Sequence, residues 1–248
     1  MKYFRESWQI AGSTVFSSLC AFTCWASPLV IDDFTQGPLD LMVLVNSNDS
    51  SDQAGLNVLG GLRETHVRNS DSSSSTLAIV TPSDDAMGGL TFTATPLTAG
   101  FYSSAGFSLQ YDGNPNGSLS NGQLGNVDLT EGENDRLKVR FSSEPEVGSF
   151  SFLIADAAND QGFIKVNFDG SLVYEILYSD IIAEFSTEPA DYSDVIAFSF
   201  WVDISGDFDV PQVVGLRYIR AVPEPGSASL LSAFGFGVLC GRRSRLLV

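Results

Sequence analysis

From residue 29 to residue 219 the apolar side chains fall at every second position, in stretches of five to eight residues broken by clusters of Gly, Asp, Asn, Ser and Pro. A period of two is that of a strand with one buried face, whereas a buried helix face needs 3.6. In LKVRF, Leu137, Val139 and Phe141 face one way while Lys138 and Arg140 face the other. In LTFTAT, Leu90, Phe92 and Ala94 oppose Thr91, Thr93 and Thr95. The same reading gives strands at LDLMVLV, LRETHV, TLAIV, FSLQY, SFSFLI, FIKVNF, LVYEILY, VIAFSFWV and VVGLRYI. No body window long enough for a helix carries a helical stripe. About eleven short strands in this length predict an all-β fold, an antiparallel two-sheet β-sandwich of jelly-roll-like form. No fixed-period repeat points to a propeller or solenoid.

Charge narrows the partners of such a fold. Residues 27–222 hold Arg63, Arg68, Arg136, Lys138, Arg140, Lys165, Arg217 and Arg220 against about 28 carboxylates, a net charge of roughly −20. A surface of that sign repels phosphate backbones, so nucleic acid is not an expected partner. Cys20, Cys24 and Cys240 all lie in the apolar end segments, which removes a disulfide scaffold or a cysteine-rich zinc site from the body. His66 is the single histidine, so any imidazole chemistry would have to run through it.

The two ends differ from the body. Lys2 and Arg5 precede an apolar stretch that closes on Cys24-Trp25-Ala26, the layout of a secretory signal peptide cleaved after Ala26. At the other end, residues 228–241 are apolar or small and are followed at once by Arg242, Arg243 and Arg245. As a helix this run of about 14 residues spans about 21 Å, short of the roughly 30 Å hydrocarbon core. Arginine snorkelling and local thinning make up the difference, and the basic knot fixes it on the cytoplasmic side. The expected organisation is therefore a signal peptide over 1–26, a β-sandwich domain over 27–221, and a terminal segment over 222–248 with a short transmembrane helix.

Pro223-Glu224-Pro225, the apolar run and Arg242-Arg243-Ser244-Arg245 together resemble the PEP-CTERM sorting signal of bacterial surface proteins. That resemblance covers the last 27 residues or so and implies export machinery and an exosortase-like processing enzyme as partners, with transient membrane attachment through the C-terminal helix. It also implies association with exopolysaccharide. The chain departs from the pattern in running on through Leu246-Leu247-Val248. The two prolines suit a protease site, because they keep the backbone extended. At the mature start, Val30-Ile31-Asp32-Asp33-Phe34, together with a last strand that runs into the tail, is similar to the galactose-binding-like jelly rolls that include carbohydrate-binding modules.

Three constellations in the body are candidates for chemistry. Asp112-Gly113-Asn114-Pro115-Asn116-Gly117 matches the opening of a calcium loop, with hard oxygen ligands at alternate positions and a glycine to turn the chain. Gln123 stands where an EF-hand needs its glutamate, and a strand precedes the motif, so an EF-hand is excluded. A structural calcium held by Asp112, Asn114, Asn116 and Asp128 is one reading, and an Asx and Gly turn cluster is the other. Asp32, Asp33, Asp156, Asn159 and Asp160 are looser metal candidates.

Trp201 is the second candidate. Along VIAFSFWVDI the core set is Ile196, Phe198, Phe200 and Val202, which puts Trp201 on the opposite face with Ser199 and Asp203. An exposed indole stacks well on the apolar face of a sugar ring, with Tyr174 and Tyr178 as candidates to extend the platform. The alternative is a loop-covered structural tryptophan. The third candidate is a glycosidase pair of carboxylates, whose spacing sequence does not reveal. Glu144, Glu146, Glu175, Glu184 and Glu188 read as solvated charges, His66 as a surface residue, and no nucleophile motif accompanies them. These features lead to the expectation of an exported cell-surface or extracellular-matrix protein, non-catalytic and exopolysaccharide-associated. The alternative is a secreted carbohydrate-active enzyme, glycosidase-like, on the same sandwich.

Overall fold

The computed structural model describes residues 27–44, 46–70, 74–81, 88–96, 102–115, 122–183, 186–207 and 209–223, without the side chains of 74–81, 102, 103 and 207. The signal peptide with Ala26 lies outside the described residues, as do Asn116, Glu224, Pro225, Arg242, Arg243, Arg245 and the terminal apolar run. Among the described residues no helix is long and apolar enough to cross a membrane.

Among the described residues, fourteen strands form two antiparallel sheets of seven. One holds β1 (Leu29–Asp32), β2 (Leu39–Val43), β5 (Ser74–Thr81), β6 (Gly89–Pro96), β8 (Asn134–Ser143), β11 (Val173–Leu177) and β14 (Gln212–Pro223), in the order β11-β8-β14-β6-β5-β2. The other holds β3 (Ser47–Ala54), β4 (Leu62–Asn69), β7 (Tyr102–Tyr111), β9 (Ser149–Asp156), β10 (Gln161–Asn167), β12 (Ile182–Ala183) and β13 (Val195–Asp207), in the order β12-β10-β9-β13-β7-β4-β3. β1 pairs with the end of β14, Leu29 opposite Ala221, so the first and last strands of the body are neighbours. Each of the eleven stretches read from alternation contains a strand. β3 was not legible: SNDSSDQA has no large apolar residue, and it forms an edge whose Asp49 and Asp52 discourage pairing with another chain.

The two inner faces meet through aromatic rings. Phe92 of β6 lies 5.0 Å from Phe107 of β7, and Phe141 of β8 lies 5.4 Å from Phe150 of β9. Phe152 and Phe200 add a 5.2 Å contact within the β7–β13 sheet. Such pairs contribute about 0.5–1.5 kcal/mol each beyond the area they bury. The alternation read in LKVRF and LTFTAT is the observed one, with Leu137, Val139, Phe141, Leu90, Phe92 and Ala94 all buried. One member of the expected core set is corrected. The register of β13 shifts between Val195 and Ala197, so Ile196 occupies a bulge and is half-buried, and Val195 takes the core position.

An ion pair also crosses the core. Arg63 of β4 is fully buried, and its Nη1 donates to Asp32 Oδ2 of β1 at 3.0 Å. Tyr111 of β7 donates its hydroxyl to the same oxygen at 2.8 Å, and the Phe34 N–H donates to Asp32 Oδ1 at 2.7 Å. The remaining donors of Arg63 go to Gln53 Oε1 and to the carbonyls of Gln36 and Gly37. Every guanidinium nitrogen of Arg63 and both carboxylate oxygens of Asp32 thus have a hydrogen-bond partner, the condition under which a buried ion pair is tolerated. Burial pushes the Asp32 carboxyl up against the pull of Arg63, and burial beside Asp32 pushes the Tyr111 phenol well up.

Candidate functional site

The outer face of the β7–β13 sheet is built by the residues that alternate with the core. β13 pairs with β7 and β9, and β7 pairs with β4, so register alone fixes which outer residues are neighbours. One row reads His66, Ser108, Trp201, Ser151. It continues to Ser50 on β3 and Lys165 on β10. At the spacing of neighbouring strands the six positions span about 24 Å, long enough for a chain of sugar rings. Trp201 is half-buried and flanked on both sides by serines, too short to cover the indole face.

The next row holds Arg68, Gly106 and Asp203. With no side chain at Gly106, Arg68 Nη2 reaches Asp203 Oδ1 at 2.6 Å, two strands away. Glu64, Gln110 and Ser199 form the row on the other side of Trp201. Trp201, His66, Arg68, Ser108, Gln110 and Asp203 enclose a shallow depression of about 380 Å³. Chemically this is an aromatic surface ringed by hydrogen-bond donors and acceptors, the combination that recognises a sugar's apolar face and hydroxyl edges together.

The expected tyrosine partners are corrected. Tyr174 belongs to the opposite sheet, where its ring packs in the core 5.8 Å from Phe141 and 4.9 Å from Phe150, and its hydroxyl donates to Asp169 Oδ1. Tyr178 is buried, stacked 4.6 Å from Tyr192, with its hydroxyl donating to the Leu129 carbonyl. Alternation along LVYEILY turns Tyr174 inward, and a 3-10 turn at Tyr178–Asp180 carries Tyr178 into the core. Neither ring shares a face with Trp201. The residues that do were not singled out, because long-range register brings Ser108, Gln110 and Arg68 beside the indole.

The carboxylates of Asp112, Asp128 and Asp156, three of those read as metal candidates, are engaged within the chain. Asp112 is fully buried; its Oδ1 accepts the Asn114 N–H and its Oδ2 accepts Gln110 Nε2. Gly113 follows with φ of 71°, and the Gln123 N–H donates to the Asp112 carbonyl, closing the turn. Asp128 Oδ1 accepts both the N–H and the hydroxyl of Thr130. Asp156 holds the N–H groups of Ala158, Asp160 and Asp191. Among the described residues no group of three or more His, Cys, Asp or Glu side chains gathers as a metal site.

No family model matches the sequence, and no curated protein matches it. Among solved structures, the chain is similar to the family 11 carbohydrate-binding module of the cellulosomal cellulase Lic26A-Cel5E of Clostridium thermocellum. That likeness has 10% identity over 80% of this chain and 95% of that one, with a TM-score of 0.36. CtCBM11 in solution matches at 11% identity over 82% of this chain and 99% of that one, with a TM-score of 0.41. PfGH50B matches at 12% identity over 73% of this chain but 23% of its own length, with a TM-score of 0.34.

Proposed function

We propose that the protein is an exported surface or matrix component whose sandwich holds polysaccharide without cleaving it, through the outer face of the β7–β13 sheet. The observation that carries the binding reading is the Trp201 row, an accessible indole between two serines with His66, Gln110 and Asp203 around it. A stacked ring supplies orientation-tolerant affinity, and the polar rim selects hydroxyl geometry. The signal-like start and the PEP-CTERM-like tail support delivery to the cell exterior, with attachment through the tail until an exosortase-like enzyme acts on it.

The test uses the full chain in a polyoxyethylene detergent against neutral β-glucans and galactans immobilised on beads. Wild type is retained and Trp201→Ala is not, while their thermal melts agree within a few degrees. Equal retention of the two proteins would remove Trp201 from the site. Reducing ends released by wild type but not by Asp203→Asn would replace holding with hydrolysis. The intact mass of the protein from the cell exterior tests delivery: an end near Pro225 supports processing, and a full-length mass in the cytosol overturns export.

A further inference from the structure

The outer face of the opposite sheet gathers most of the cations of an otherwise acidic body. Arg136, Lys138 and Arg140 alternate outward along β8, and Arg217 and Arg220 stand on β14 beside them, so five of the eight cations of the body share one face. Register alone does not give this density. β14 bulges between Leu216, which faces Phe141, and Tyr218, which faces Arg140, and Arg217 is the inserted residue. Both Arg217 and Tyr218 line the outer depression that results, together with Arg140 and Arg220. Bulges of this kind re-aim side chains at sites where they are needed.

Two of the five cations are neutralised locally. Arg136 pairs with Asp135 at 2.8 Å, and Lys138 pairs with Glu175 at 2.8 Å. Arg140 and Arg220 have no ion-pair partner among the described residues. Arg220 lies with its guanidinium 4.3 Å from the Tyr218 ring centroid, and its Nε is buried without a hydrogen-bond partner. Stacking occupies a flat face of the guanidinium and burial withdraws Nε, which leaves the two terminal nitrogens to donate, an arrangement that receives a carboxylate or sulfate with two parallel bonds. Among the described residues one carboxylate lines the depression, Asp33, and it accepts the N–H and hydroxyl of Thr35. Leu172 and Val173 form an apolar rim, at 48% and 42% exposure, against which a sugar ring can rest. The depression encloses about 430 Å³, room for an anionic group with the ring that carries it.

We propose that this face, built on Arg140, Arg220 and Tyr218, is a second glycan site that takes the anionic groups of an acidic polysaccharide. An anion carried on a sugar ring suits it better than a bare phosphate backbone, since Leu172, Val173 and Tyr218 offer apolar surface beside the arginines. The site stands on the opposite side of the sandwich from Trp201, so it goes beyond the neutral-glycan reading and fails or holds separately from it.

The full chain in the same detergent is passed over immobilised polygalacturonate, immobilised dextran sulfate and neutral dextran. Wild type is retained by at least one of the two acidic polymers, weakens with added salt, and passes through neutral dextran. Polygalacturonate retention assigns a uronate, and dextran sulfate retention a sulfate ester. Two charge-assisted bonds lost in Arg140→Gln/Arg220→Gln weaken binding by at least about tenfold. Arg140→Gln alone, a change on an exposed side chain, weakens it in the same direction, and Arg220→Lys falls between. Trp201→Ala leaves acidic retention unchanged. The proposal is overturned if neither acidic polymer retains wild type, if the double variant binds as well as wild type, or if Trp201→Ala abolishes acidic retention. A single-stranded oligonucleotide retained as tightly as the glycans would also overturn it.

Discussion

Arg68 and Asp203 meet at 2.6 Å although a whole strand separates them, because the residue between them on β7 is Gly106. A Cβ at Gly106 would come within 2.5 Å of the Val202 carbonyl oxygen and 3.1 Å of Asp203 Oδ1. The backbone of β13 would have to move, and β13 carries Trp201. Gly106→Ala should therefore destabilise the fold by about 1–3 kcal/mol, as overpacking does, and weaken neutral-glycan retention as well. Arg68→Ala removes an exposed ion pair and should cost less than about 1 kcal/mol. Urea melts of the two variants separate these cases, and equal losses would show that the glycine has no special place.

Asp32 and Arg63 fasten β1 to β4, one from each sheet, with Tyr111 of β7 on the same carboxylate. Removing one member strands the other charge in the core. Asp32→Ala should lower stability by about 3–5 kcal/mol. Tyr111→Phe takes away one hydrogen bond to a charged group and should cost about 1–3 kcal/mol. Replacing Asp32 and Arg63 together by apolar residues should recover much of the Asp32→Ala loss. A double variant no more stable than Asp32→Ala would show that the network acts through something besides charge.

These particulars show what the sequence carried. Alternation is local, so strand positions and the outward aim of Trp201 could be read directly. The same parity that turns Thr65 and Val67 inward turns Arg63 inward, yet its partner Asp32 lies 31 residues earlier and only the fold brings them together. Arg68 and Asp203 are 135 residues apart, and no local signal joins them. The bulge that sends both Arg217 and Tyr218 outward breaks the alternation that made the rest legible. Tyr174 differs in kind: parity along β11 already puts it in the core, and aromatic type alone does not place a ring on an outer face.

The Asp112 turn can be distinguished from a calcium loop by its response to metal. Both carboxylate oxygens accept hydrogen bonds inside the chain, from Asn114 N–H and Gln110 Nε2. Asp112→Ala should lower stability by about 1–3 kcal/mol, by the same amount in calcium and in EDTA. A wild-type melting temperature that rises with calcium, and a variant that does not respond, would make the loop a metal site instead.

Glu175 on the edge strand β11 lies between Lys138 Nζ at 2.8 Å and Arg136 Nη1 at 3.3 Å, both on β8. The hydrogen bond from Lys138, then the charges of both cations, hold its carboxyl below the ordinary value of 4.5 despite some desolvation. Its proton is therefore bound more weakly in the folded chain than in the unfolded one. The stabilisation is fully present above the ordinary carboxyl value and is lost as pH falls through the depressed one. The pair is partly exposed, so the effect is limited to roughly 1 kcal/mol or less and shrinks with salt. Wild type should exceed Glu175→Gln in stability at neutral pH and low ionic strength, and the two should converge as pH falls below the depressed carboxyl value, where the Glu175 side chain is neutral as glutamine is. Hydrogen exchange at β11 amides reads the same difference locally, because an edge strand opens without the rest of the sheet. A gap that stays constant from acid to neutral pH would assign the loss to packing of the edge strand, and the charge of Glu175 would then contribute nothing.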